Sequence, residues 1–148
     1  MPIVVARTVI VTAPADAVLD YLKDFGNAVQ WDPAARRITR TDSGPVVVGS
    51  RWHHEAKVLG VRAELTYTLA AADGGRLIFV GRNESATSTG TVTVRPIDGG
   101  TEVTYHVDLE MHGLAKLATP VLRAEAEKLG DETAGRLTEV LNRLASAA

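Results

Sequence analysis

The chain has 148 residues, 45% apolar and 23% charged, a globular composition and not that of a disordered chain. Its net charge of −2 offers no bulk attraction to a phosphate backbone, which argues against nucleic acid as the main partner. It has no cysteine, which removes disulfides, thiolate metal sites and cysteine nucleophiles from consideration.

Ile3 to Thr12 is rich in β-branched residues and reads as a strand that Pro14 ends. Pro14 suits a first helical turn, and Val18, Leu19, Leu22 and Phe25 recur at helical spacing over Asp16 to Phe25. Gly26 and Asn27 stop that helix, and Ala28 to Asp32 forms a further turn before Pro33. Strand patterns follow. Ala35 to Asp42 is one, and Gly49 to Val58 is another, with Trp52 and His54 on one face and His53 and Glu55 on the other. Arg62 to Leu69 alternates with Leu65 and Tyr67 opposite Glu64 and Thr66. Asp73-Gly74-Gly75 is a turn, and Arg76 to Glu84 is a strand apolar on both faces, so its orientation stays open. Thr87 to Pro96 puts Val92 and Val94 on one face. After Asp98-Gly99-Gly100, the strand Thr101 to Met111 turns Val103, Tyr105, Val107, Leu109 and Met111 to its dry side.

Leu114 to Leu144 is a long helix with a kink or restart expected at Pro120. Its stripe is Leu122, Leu129, Leu137, Leu141 and Leu144, and its charges balance, unlike those of a basic helix that seeks lipid. Ala126, Gly130, Ala134 and Gly135 thin its middle. Two explanations stand: space kept free, or close packing of helix on sheet.

The order of strand, two short helices, six strands and one long helix is an α+β arrangement. Tight turns make a seven-stranded antiparallel sheet, and the only cover long enough is the last helix, about 45 Å for 30 residues. A curved sheet cannot close on one helix everywhere, and seven aromatic residues are few to fill the gap. An apolar internal cavity is therefore expected.

Five segments resemble the SRPBCC superfamily, the helix-grip proteins related to START lipid-transfer domains and the birch-pollen allergen. They are Val11 to Val18, Trp31-Asp32-Pro33, Val48 to Trp52, Gly99 to Thr104 and the leucine-striped last helix. Within it, the chain is similar to the bacterial polyketide cyclase/dehydrase-like group over nearly its whole length. The resemblance implies a seven-stranded sheet gripping the C-terminal helix, one ligand-binding domain over residues 1–148, and a hydrophobic small molecule as partner. Some members catalyse cyclisation, aromatisation or dehydration. The family pattern also sets a tryptophan after the first helices near the pocket mouth, which points to Trp31.

The expected ligand contacts are Trp31, Trp52, His54, Leu65, Tyr67 and Phe79 on one side. Val92, Tyr105, Val107, Leu109 and Met111 extend them along the sheet, and Leu122 and Leu129 supply the helix side. His54 beside Tyr67 offers a general acid/base pair near neutral pH, or else a core histidine among core aromatics. One of Arg82 and Asn83 is expected to point inward, where an arginine can hold a carboxylate or enolate; an exposed strand-end arginine is the favoured alternative. Arg36, Arg37 and Arg40 form a small basic patch that solvates a strand edge or meets an acidic carrier. His53 and His54 face opposite ways and cannot share a metal, and no HExxH, nucleophile elbow or phosphate loop is present. No metal and no cofactor is expected.

Two functions lead. One is a carrier or sensor for a polyketide-, lipid- or aromatic-like molecule; the other is a cyclase, aromatase or dehydratase using His54 and Tyr67. A more distant option is a lipid or quinone chaperone at a membrane surface, against which the absence of a basic helix counts, and a structural role follows if bulky side chains fill the gap. Access is expected between the short helices and the start of the last helix, with Gly26 and Gly113 as pivots. The beginning of the chain lacks a signal-peptide pattern and no window offers 18 uncharged apolar residues. A cytoplasmic protein without stable membrane insertion, monomeric or weakly dimeric, is the corresponding expectation.

Overall fold

The computed structural model describes residues 2–146. Seven strands form one antiparallel sheet: β1 Ile3–Val11, β2 Ala35–Arg40, β3 Arg51–Val58, β4 Val61–Asp73, β5 Arg76–Arg82, β6 Ala86–Ile97 and β7 Gly100–Met111. Their order across the sheet is β1-β7-β6-β5-β4-β3-β2. Helix α1, Ala15–Lys23, and a 3-10 helix, Phe25–Gln30, lie between β1 and β2; a second 3-10 helix, Gly113–Ala118, leads into α2, Thr119–Ser146. The sheet and the last helix form the helix-grip arrangement.

Several boundaries differ from the sequence reading for local reasons. The first helix ends at Lys23, and Phe25 opens the 3-10 helix, whose first turn is capped where Asp24 Oδ1 accepts the Gly26 N–H at 3.0 Å. Strand β4 runs on to Asp73 because a register shift between Leu69 and Ala71 lets pairing with β5 continue. Strand β5 stops at Arg82. There Asn83 turns the chain, its side-chain oxygen accepting the Ser85 and Ala86 N–H groups and its amide donating to the Glu64 carbonyl. Pro120 restarts rather than kinks the helix, standing in the first turn of α2 where no N–H is needed.

Helix α2 lies on the β1 side of the concave face. Arg7 fastens it, donating to the Glu127 carbonyl at 3.1 Å, to the Glu127 carboxylate at 2.9 Å and to Asp131 at 3.0 Å. Near the other end, Asn142 Oδ1 accepts the Thr12 N–H at 2.9 Å, while Leu137 and Leu141 are buried in the core.

The two helix glycines do different things. A Cβ on Gly130 would meet Val5 Cγ1 at 2.6 Å and the Arg7 guanidinium carbon at 3.2 Å, so this glycine sets close contact between α2 and β1. Gly135 is exposed and a Cβ there meets nothing within 4 Å. Space kept free is therefore not the reason for either. The two alanine substitutions should shift stability in opposite directions in urea or thermal unfolding. Gly130→Ala is expected to cost about 1–3 kcal/mol through overpacking, and Gly135→Ala to add about 0.5–1 kcal/mol through helix propensity.

Candidate functional site

Strand parity brings the aromatic side chains of β3, β4 and β5 to the concave face. Trp52 and His54 are buried there, and Leu77, Phe79 and Gly81 are the inward residues of β5, which settles its orientation. Tyr67 pairs with Gly81 across β4 and β5, and a Cβ on Gly81 would sit 2.5 Å from the Tyr67 ring. The glycine thus lets the phenol lie flat on the sheet. From the opposite side the 3-10 helix lowers Phe25 onto it: the two rings stack with centroids 4.5 Å apart. Phe25 also lies 4.9 Å from Phe79 and 5.9 Å from both Trp52 and His54. This cluster fills the β2 side of the concavity, so the expectation that the aromatics are too few to fill the gap is corrected for that half.

Toward β1 the interior stays open. A cavity of about 140 Å3 lies between the sheet and α2, walled by Ile3, Val5, Val107, Leu109 and Leu129, with Ala126, Gly130 and Thr133 on the helix side. Its polar groups include Asp32 and Tyr105. A smaller cavity of about 50 Å3 reaches the aromatic cluster and is lined by Phe25, Trp31, Tyr67, Phe79, Ser88 and Val92. Asp32, Tyr105 and Val107 line both, so they stand at the junction.

Among the expected contacts, Trp31, Tyr67, Phe79, Val92, Tyr105, Val107, Leu109 and Leu129 line one or both cavities. Trp52 is 1% exposed and belongs to the core, and His54, Leu65 and Leu122 line neither cavity. Met111 instead faces an open cleft beside Lys116 and Pro120. Arg82 and Asn83 are both exposed, which corrects the expectation of an inward group; Gly81 takes the inward position. Arg40 leaves the basic patch: it pairs with Asp42 at 2.8 Å and its guanidinium lies 5.9 Å from the Trp52 ring centre.

The sequence reading missed Asp32 and Ser88. Asp32 follows the 3-10 helix, its N–H bonded to the Ala28 carbonyl and its Oδ1 accepting the Ala34 N–H at 2.9 Å. Oδ2 lies 3.3 Å from His54 Nε2, so His54, 4% exposed, reaches the cavity only through Asp32. His54 Nδ1 and the indole N–H of Trp31 are buried without a hydrogen-bond partner among the described residues. The Trp-Asp-Pro sequence was a visible signal for Asp32, because the carboxylate follows an inward tryptophan and precedes a helix-stopping proline.

Burial pushes the Tyr67 phenol up to about 12; the Ser88 hydroxyl acts the other way and the charge of Asp32 adds to the rise. Tyr105 is pushed well above the ordinary phenol value, first by burial and then by Asp32 and Tyr67. Both phenols are therefore hydrogen-bond donors at neutral pH and not bases. Between the unfolded phenol value near 10 and the folded value, the unfolded chain binds fewer protons, so stability falls as pH rises. Alkaline unfolding followed by circular dichroism should show that fall from pH 10 toward 12, and Tyr67→Phe should make it shallower.

A family model described as "Polyketide cyclase / dehydrase and lipid transport" matches residues 2–148. No curated protein sequence matches the chain. Among solved structures, the Zhui aromatase/cyclase from Streptomyces sp. R1128 superposes with a TM-score of 0.81 at 16% identity, over 98% of this chain and 96% of that one. A protein from Thermus thermophilus gives 0.78 at 16%, covering 98% and 99%. A START superfamily protein from Mycobacterium smegmatis gives 0.73 at 17%, again covering 98% and 99%. Identities this low establish a shared fold.

Proposed function

The chain belongs to the polyketide cyclase / dehydrase and lipid transport family, and from that premise we propose that it holds a small hydrophobic molecule between the sheet and α2, as a carrier or sensor. The observation that carries this reading is the cavity of about 140 Å3 with aliphatic walls and the Asp32 carboxylate and Tyr105 phenol at its junction with the inner space. A space of this volume, partly open to solvent, seats one ring. The occupant that fits is therefore ring-sized, apolar over most of its surface, with one hydroxyl directed at Asp32. Access runs past the 3-10 helix Gly113–Ala118, where Gly113 takes a positive φ of 59° and no residue of the helix is buried. A segment held by so few packed side chains can swing without opening the core.

Titration with p-cresol by calorimetry tests this, beside native mass spectrometry of the purified protein for a co-purifying molecule. Ala126→Leu fills the helix side of the cavity and should weaken p-cresol binding about tenfold or more while the fold survives. Unchanged binding in Ala126→Leu, or no binding of any ring-sized compound by the parent protein, refutes the reading.

The second reading is a cyclase, aromatase or dehydratase, and the 3.3 Å contact between His54 and Asp32 beside two protonated phenols favours it. In this reading Asp32, backed by His54, removes a proton from carbon next to a carbonyl, and Tyr67 donates a hydrogen bond to the oxygen that gains charge. His54→Ala and Tyr67→Phe should each abolish turnover of a linear poly-β-ketone thioester with little loss of binding. Full turnover in both variants would eliminate the pair.

A further inference from the structure

The two ends of the sheet expose different chemistry. One end carries the β3–β4 turn, the β5–β6 turn and the corner from β7 into α2. There, aliphatic side chains stand in water: Leu59 is 54% and Val61 66% exposed at the β3–β4 turn, and Leu114 and Leu117 are 87% and 82% exposed on the second 3-10 helix. The opposite end carries acidic turns, with Asp73 and Asp98, and the start of α1, with Asp16 and Asp20, beside Lys23 and Arg76; Val47 and Val48 are exposed there too, in the loop between β2 and β3, but without a strained backbone.

Leu59 is in the wrong conformation for its type. Leu59 and Gly60 form a two-residue turn between the paired residues Val58 and Val61, with φ values of 53° and 78°. Positive φ at both positions favours Asn-Gly, and a leucine at the first position is strained. Its side chain is largely in solvent, so burial within this chain does not offset the strain.

Cations stand beside both apolar tips. Lys57 and Arg62 lie directly opposite one another across β3 and β4, a like-charge pairing, and neither forms an ion pair among the described residues. With Arg36 and Arg37 they wall a groove of about 450 Å3 next to the turn. The carboxylates in that groove already have partners: Glu55 lies 3.9 Å from Arg37, and Glu64 lies 2.9 Å from His53. Lys116 and Arg123 stand beside the second tip and line an open cleft with Pro120 and one carboxylate, Glu110.

We propose that this end of the molecule docks on the surface of an anionic lipid bilayer. Leu59, Val61, Leu114 and Leu117 enter the interfacial layer, and Lys57, Arg62, Arg36 and Lys116 meet lipid phosphates. Two projecting aliphatic tips, each with its own cations, suit a deformable surface better than a rigid protein, which would need a matching cavity for each tip. None of the helices among the described residues is long and apolar enough to cross a bilayer, so the attachment is superficial. Ile3 and Leu109, the pair that opens the β1–β7 ladder at this end, also bound the 140 Å3 cavity. Docking therefore brings an apolar ligand's cavity toward lipid, a consequence that rests on the binding reading; the docking itself does not.

Co-sedimentation of the full chain with phosphatidylglycerol and phosphatidylcholine vesicles tests the proposal. The protein should pellet with the first and not the second. Leu59→Asn converts the turn to Asn-Gly, so folding is kept or improved while partitioning into phosphatidylglycerol should fall about tenfold. Leu114→Ser with Leu117→Ser should act in the same direction, and Lys57→Glu with Arg62→Glu should remove binding. Absence of binding to phosphatidylglycerol overturns the proposal. So does binding that only the charge variants weaken, which is the behaviour of a surface built for an acidic protein. Titration with p-cresol without vesicles reports on the cavity alone, so failure of the docking and failure of the ligand reading are seen separately.

Discussion

The pairing of β1 with β7 governs the rest of this structure. It closes the order β1-β7-β6-β5-β4-β3-β2 and leaves the first two strands at opposite edges. The chain between Val11 and Ala35 must therefore cross the whole concave face. An extended crossing would bury backbone groups without partners. Helix α1 and the 3-10 helix satisfy most of them internally and convert the crossing into a second layer. That layer is what places Phe25, Ala28 and Trp31 against the sheet and leaves Asp32 at the centre of the interior.

From this geometry the concavity is divided. On the β2 side, Phe25 closes over Tyr67 and Phe79, and its stacked contact with Tyr67 and edge-to-face contact with Trp52 hold the cluster together. On the β1 side, α2 is held at a fixed height by Arg7 and by the close contact at Gly130. A helix so fastened cannot sink further into the sheet to fill the remaining space. Beside that contact the small side chain of Ala126 leaves a void that Leu129 and Leu109 only partly occupy. The cavity is a by-product of two anchors, one aromatic and one ionic, placed on opposite sides.

The fold was legible in the sequence because its signals are periodic. Alternation through β3, β4 and β7 and the Gly-rich turns define antiparallel hairpins, and the leucine stripe defines α2. The site was legible where parity alone decides, as at Tyr67, Val92 and Tyr105. It was not legible where a tertiary contact decides. Trp52 and His54 share a face with Tyr67, yet Phe25 covers them, and nothing in strand periodicity says that a residue from the crossover will do so. Trp31-Asp32-Pro33 marks the segment, but the role of Asp32 depends on where the 3-10 helix ends above the sheet. Gly81 reads as a weak point in a strand, and only the ring lying on it explains its presence. Neither Arg82 nor Asn83 faces inward because β5 ends two residues earlier than the expected Glu84, and Asn83 serves the β5–β6 turn; the exposed arginine agrees with the favoured alternative.

The polar groups of the interior limit what a partner can be. Both phenols stay protonated, so they offer donors; Asp32 offers acceptor capacity beyond its bonds to Ala34 and His54. In the proposed binding reading, a ligand that lacks a donor for Asp32 forgoes a charge-assisted hydrogen bond. Extra methylene groups against the Ile3, Val5 and Leu129 walls change affinity only modestly by comparison. On that reading, discrimination falls mainly on the presence and position of one hydroxyl or amine. That asymmetry follows from placing a single carboxylate at the junction of two apolar spaces, and it holds whether the occupant is carried or transformed.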